Sequence, residues 1–155
     1  MKRAILSLAL LLASNSYGAL ETYCYYREVT LSGTADKLTI QHNSGTNLRP
    51  LGVIAADVYC SVACVVTLER SSSAATTTAA TPTKMLPNGT ASSVVVYTAS
   101  NAGVGTQIRK ITIGAGQYMR IDPSEMRIVD NLDNISIGVA AITGDVKIFL
   151  MWREQ

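Results

Sequence analysis

The chain has 155 residues, of which 48% are apolar and only 15% charged, and its formal net charge is +2. That length fits one domain with a real core, and the charge content is well below the ~25% usual for a soluble globular protein. Lys2 and Arg3 supply the whole excess, because the other 11 of the 13 basic residues balance 11 acidic ones. No basic field is left to attract nucleic acid or a membrane surface.

The N-terminus has a basic start, an apolar run from Ala4 to Ala13, and the small residues Ser16 and Gly18 at −3 and −1 of a cut after Gly18. This is the pattern of a secretory signal peptide. An apolar run of about ten residues is too short to span a bilayer, which takes roughly 20. The alternative is an apolar arm that packs on a neighbouring subunit. Residues 1–20 are therefore expected to be a signal peptide or an arm, and residues 21–155 a folded domain with no membrane contact in the mature form. Tyr23, Tyr25 and Tyr26 flank Cys24 at the start of that domain. Buried, they close one end of a core; exposed, they form a contact patch, and they are kept as interaction candidates.

Next, Lys37 to Gln41 alternates as a strand, His42 continues its Leu38–Ile40 face, and Asn43 to Asn47 supplies a turn. The clearest signal lies at Asp57 to Glu69, D-V-Y-C-S-V-A-C-V-V-T-L-E. Val58, Cys60, Val62, Cys64, Val66 and Leu68 form one apolar face, and Tyr59, Ser61, Ala63, Val65, Thr67 and Glu69 a mixed one. Period-two alternation of this length predicts one long strand with a face in the core. On such a strand Cys60 and Cys64 stand roughly 13 Å apart, beyond the ~7 Å reach of a disulfide. They are then expected to be small buried hydrophobes, with Cys24 free to pair with either. Three Cys and one His fall short of a four-ligand zinc site.

Ser71 to Thr83 has no charge and no large apolar group. It is expected to be a long loop, which makes Thr77 an interaction candidate. Ser93 to Thr98 is a valine-rich strand. Asn101 to Thr106 is a second connection, with Asn101 a further contact candidate. Gln107 to Ile113 reads as a strand, Gly114 to Gln117 as a tight turn into Tyr118–Ile121, and Pro123 to Arg127 as at most one helical turn. Asp130, Asn131, Asp133 and Asn134 cluster oxygen ligands, but their spacing does not fit an EF-hand. An Asp/Asn turn accounts for them better, leaving Asp130 and Asp133 as weak calcium candidates. Strands at Ile135–Val139 and Val146–Trp152 complete the chain, the second with Val146, Ile148, Leu150 and Trp152 on one face. About eight strands with frequent turns predict an all-β fold, a single antiparallel β-sandwich.

Catalytic signals are absent from this reading. His42 is the only histidine, and the chain contains no G-x-S-x-G elbow, P-loop or dinucleotide fingerprint. Carboxylates are few and scattered, so no enzyme and no cofactor is expected. The formal sequons at Asn88 and Asn134 are short enough to arise by chance.

Four segments, K-L-T-I-Q-H at 37–42, V-Y-C-S-V-A-C-V-V-T-L-E-R at 58–70, A-S-N-A-G-V-G-T at 99–106 and I-G-A-G-Q at 113–117, carry a resemblance to a group of small phage-derived proteins. It extends in kind and order over most of residues 30–152. The resemblance implies a jelly-roll-like virion accessory protein: a decoration, collar or tail subunit. It transfers no functional residues. The expectation is thus a non-enzymatic structural subunit that associates with itself, as a trimer by analogy with jelly-roll virion proteins, and with other virion or particle proteins. The alternative is a secreted or periplasmic binding module, with carbohydrate as one ligand class.

Overall fold

The inward-facing positions of this chain are mostly Val, Ile, Leu and aromatic residues spaced two apart, which suits strands packed by one face on a core. The computed structural model describes residues 21–42, 51–71, 78–81, 83–85, 91–99, 105–126 and 134–154. Among the described residues nine strands run in the order β1 (Glu21–His42), β2 (Leu51–Cys60), β3 (Cys64–Ser71), β4 (Thr78–Ala80), β5 (Thr83–Lys84), β6 (Val94–Ala99), β7 (Thr106–Ile113), β8 (Gln117–Arg120) and β9 (Asn134–Glu154), with a 3-10 turn at Pro123–Met126. All pairings are antiparallel. The fold is an all-β, sandwich-like antiparallel architecture, as the sequence predicts.

The frame is the β1–β9 ladder, continuous from Glu21 opposite Glu154 to Gln41 opposite Asn134. Irregularities at Ser32–Asp36 break its register near the middle. Beyond β9, β2 pairs along residues 146–154 and β3 along residues 134–139. Outside these, β8 pairs with β2 and β7 with β3. The result is a broad antiparallel ribbon, folded over along one crease. The crease passes through Ser32–Asp36 in β1, through Gly144 in β9, between β2 and β3, and between β7 and β8. One half holds β1, β9, β2 and β8 beside residues 21–31 and 144–154, with β5 at its edge. The other holds β6, β1, β9, β3 and β7 beside residues 34–42 and 134–142, with β4 outside β6.

Inward residues of both halves form one core. Val58, Val146, Ile148, Leu150 and Trp152 come from the first half, and Leu38, Ile40, Val66, Leu68, Val96, Ile135 and Ile137 from the second. Each such side chain contributes about 1.5–3 kcal/mol on burial. Trp152 is fully buried, and its ring stacks on Tyr23 with centroids 6.1 Å apart.

Several expectations need correction. The segment 57–69 is not one extended strand: its direction continues along β9, but the chain turns sharply at Ser61–Ala63. Cys60 and Cys64 therefore lie 6.4 Å apart at Cα and form a disulfide. The expected ~13 Å holds only for an uninterrupted strand. Val62 sits in the corner, half-buried, and is not on the core face. Cys24 is the free thiol. Within the expected 71–83 loop, Thr78–Ala80 pairs with β6 and Thr83–Lys84 with β1. These residues lack apolar bulk, yet backbone pairing at a sheet edge does not require it. The two C-terminal strands are one, β9, and the 37–41 strand is the last part of the 22-residue β1.

Polar contacts fasten the crease. Arg27 and Asp36, on opposite sides of it in β1, pair through two bonds, Nε to Oδ2 at 2.6 Å and Nη2 to Oδ1 at 2.7 Å. Ser61 N–H donates to the Asp145 carbonyl at 2.9 Å, and Asp145 N–H donates to Ser61 Oγ at 2.7 Å. Gly116 N–H donates to the Cys60 carbonyl at 2.9 Å, holding the β7–β8 turn against the disulfide corner. Gly116 has φ of 69°, a conformation that residues with a Cβ adopt only with strain.

Candidate functional site

Among the described residues, the outer face of the first half-sheet brings together four rings and four charges. Register alone assembles it. In one row across the ribbon stand Glu28 (β1), Lys147 (β9), Tyr59 (β2) and Tyr118 (β8). In the next stand Tyr26, Phe149, Asp57 and Arg120, in the same strand order. All eight are outward because their chain neighbours Arg27, Val58, Met119 and Ile148 occupy inward positions, and period two sends adjacent residues to opposite faces.

Tyr118 is 73% exposed and Tyr26 52%. The Tyr59 and Tyr118 rings pack at 4.8 Å between centroids, tilted by 40°. Lys147 Nζ lies 2.9 Å from Glu28 Oε1, and the Tyr26 hydroxyl donates to Glu28 Oε2 at 2.9 Å. Arg120 forks onto Asp57, Nε to Oδ1 at 2.8 Å and Nη2 to Oδ2 at 3.2 Å. The bond from Lys147, followed by that from Tyr26, holds the Glu28 carboxyl below its usual range. The same contact with Glu28 raises Lys147, and the Asp57 fork raises Arg120. Desolvation and then the bond to Glu28 push the Tyr26 hydroxyl up. These shifts keep the ion pairs charged, which suits contact and recognition rather than proton transfer.

The interaction candidates from the sequence separate. Tyr26 lies on this face. Tyr23 is only 1% exposed, with its hydroxyl donating to Glu21, and Tyr25 packs half-buried against the core. Neither forms part of a contact patch with Tyr26, because strand alternation turns residues 23 and 25 inward. Thr77, Asn101, Asp130 and Asp133 lie outside the described residues. His42 ends β1, opposite Val94 of β6. Tyr59, Tyr118, Phe149 and the two ion pairs were not singled out as candidates from the sequence. The only available signal was that Tyr59 falls on the mixed face of its strand.

Several other polar groups among the described residues have structural partners. Glu154 is fully buried and accepts from Trp152 Nε1 at 3.0 Å, Ser93 N at 2.8 Å, Ser93 Oγ at 2.7 Å and the Ser92 hydroxyl. This ties the start of β6 to the end of β9. Thr39 and Ser136 hydroxyls meet at 2.7 Å, and Lys37 pairs with Glu69 at 2.6 Å on the outer face of the second half. A depression of about 370 Å³ lined by Leu51, Gly52, Val53, Pro123 and Ser124 offers no acid, base or metal ligand. Among the described residues no group of three or more His, Cys, Asp or Glu is placed to hold a metal ion, and no helix is long and apolar enough to cross a membrane. No protein-family model, curated protein or solved structure matches this chain.

Proposed function

We propose that the protein is a non-enzymatic structural subunit that works by surface contact, assembling with copies of itself and with other proteins of a larger particle, in the manner of a virion accessory protein. The observation that carries this reading is the outward grid of four rings, Tyr26 and Tyr118 exposed and Tyr59 and Phe149 half-buried, with two ion pairs on one sheet face. Tyr, Phe and Arg are enriched in protein interfaces. The four charges of the grid are paired with one another, Glu28 with Lys147 and Asp57 with Arg120. The resemblance to phage-derived proteins points the same way. The test is fractionation of native source material on a density gradient, followed by native mass measurement. The protein is expected to sediment with particles and to run as an oligomer. Recovery only as a soluble monomer would refute the proposal.

A second reading, a secreted or periplasmic binding module, draws support from the Cys60–Cys64 disulfide. Disulfides persist in oxidising compartments, and residues 1–18 read as an export signal. Its mark is an intact mass for a chain that begins at Ala19, with the disulfide formed, in a monomer.

A further inference from the structure

We propose that the Tyr26–Tyr59–Tyr118–Phe149 face is a self-complementary docking surface, and that its occupant is the same face of a second copy of this chain. The inference rests on the self-assembling reading above and names the surface that does it.

The grid reads Glu28, Lys147, Tyr59, Tyr118 in one row and Tyr26, Phe149, Asp57, Arg120 in the next. Two copies related by a two-fold axis present the same patch to each other. An axis running along the strands, between β9 and β2, sets Lys147 of each copy over Tyr59 of the other and Arg120 over Tyr26. It also sets Glu28 opposite Tyr118 and Asp57 opposite Phe149. An axis running between the two rows sets Lys147 over Phe149, Arg120 over Tyr118, Glu28 opposite Tyr26, and Asp57 opposite Tyr59. In either arrangement every charge meets a ring and no two like charges coincide. Cations over ring faces attract, while a carboxylate gains only at a ring's positive edge or from a tyrosine hydroxyl. The second arrangement is therefore the better one, since there both carboxylates meet tyrosines. Like charges brought together would cost several kcal/mol. The eight-residue grid is also neutral, since Glu28 cancels Lys147 and Asp57 cancels Arg120. A strongly charged partner therefore gains little from it.

Size permits the contact. Five outward rows on β1 and β9, four on β2 and two on β8, with strands about 4.8 Å apart and rows about 6.7 Å apart, give a footprint on the order of 500 Å². That is below the ~800 Å² per partner of a standard interface and belongs to the smaller, weaker class. The rival route, edge-to-edge pairing through β7, is disfavoured by its own sequence. Centred antiparallel pairing of Thr106–Ile113 with a second copy would set Arg109 opposite Lys110, a like-charge contact that blunts the edge.

The experiment is sedimentation velocity and native mass of the whole protein over a wide concentration range, for the wild type, Tyr118→Ala, Tyr26→Ala and Arg120→Glu. These side chains are exposed, so the variants should fold, and unchanged thermal unfolding verifies it. The wild type is expected to dimerise or to build even-numbered assemblies, and each substitution to weaken association about tenfold or more. Tyr118→Phe, which keeps the ring, should retain most of it. An oligomer, a trimer included, whose mass ignores all three substitutions overturns the face assignment while the structural-subunit reading stands. A wild type that stays monomeric at every concentration overturns both. A monomer that binds an insoluble polysaccharide, and loses that binding on Tyr118→Ala, reassigns the face to glycan and also overturns the proposal.

Discussion

Gly144→Ala tests the crease most sharply. Gly144 lies in β9 where the ribbon folds over, with φ of 159°. A Cβ placed there would sit 2.7 Å from Ser61 Oγ and 3.1 and 3.3 Å from the two Val62 methyl carbons. Ser61 cannot simply swing away, because its Oγ accepts from Asp145 N–H at 2.7 Å and its own N–H donates to the Asp145 carbonyl. Overpacking of this kind costs about 1–3 kcal/mol, and a backbone conformation that disfavours side chains adds about 1–3 kcal/mol. A total near 3 kcal/mol corresponds to a fall in Tm of roughly 6–12 °C for a domain of this size. Gly33→Ala is the control, since Gly33 also has positive φ, 71°, but nothing lies within 4 Å of the added carbon. It should cost only the conformational strain, about 1–2 kcal/mol. The assay is urea unfolding of both variants and of Gly144→Ala combined with Ser61→Gly. Removing the Ser61 side chain should recover part of the loss, giving a non-additive cycle. Equal costs for Gly144→Ala and Gly33→Ala, with strict additivity in the double variant, would refute the close approach of β9 to the disulfide corner.

Three further outcomes are expected. Replacing both Cys60 and Cys64 by Ser should cost about 2 kcal/mol or more, as expected for opening a five-residue loop and burying two hydroxyls; urea midpoints under oxidising and reducing conditions measure it. Glu154→Ala should cost about 3 kcal/mol in chemical unfolding, because it leaves the Trp152 indole N–H and the Ser93 N–H without their acceptor. An NMR titration should find the Glu28 carboxyl midpoint below the usual glutamate value, and Lys147→Gln should move it back up. The sign follows from the lowered folded value. The stability from Glu28 is present above the unfolded pKa of about 4.3 and is lost as pH falls through the folded pKa.

What the sequence conveys depends on whether a feature is local. The alternation of Val146, Ile148, Leu150 and Trp152 is local, and all four are buried as that pattern demands. The turn at Gly114–Gly116 is local too, marked by its glycines. The corner at Ser61–Ala63 stayed hidden for two reasons. It contains no Gly, Pro, Asn or Asp, and it preserves parity, so Cys60 and Cys64 both point inward and the period-two pattern runs through it undisturbed. The contact face was the least legible of all. Asp57 and Tyr59, Tyr118 and Arg120, and Lys147 and Phe149 lie far apart in the chain and meet only through the register of β2, β8 and β9. Tyr26 stood out in the sequence, but grouped with Tyr23 and Tyr25, which strand geometry sends to the other side.

The β1–β9 ladder also bears on how the molecule comes into being. Its partners are the first and last described strands, Glu21–His42 and Asn134–Glu154. During synthesis, β1 must wait unpaired along its main edge until the end of the chain has been made. At about 5–20 residues per second, the stretch separating the two takes on the order of ten seconds. Contacts this distant in sequence make folding slow, and a long, unpaired strand rich in tyrosine and threonine is prone to join the wrong neighbour in that interval. Truncating β9 should therefore yield aggregates rather than a smaller folded domain.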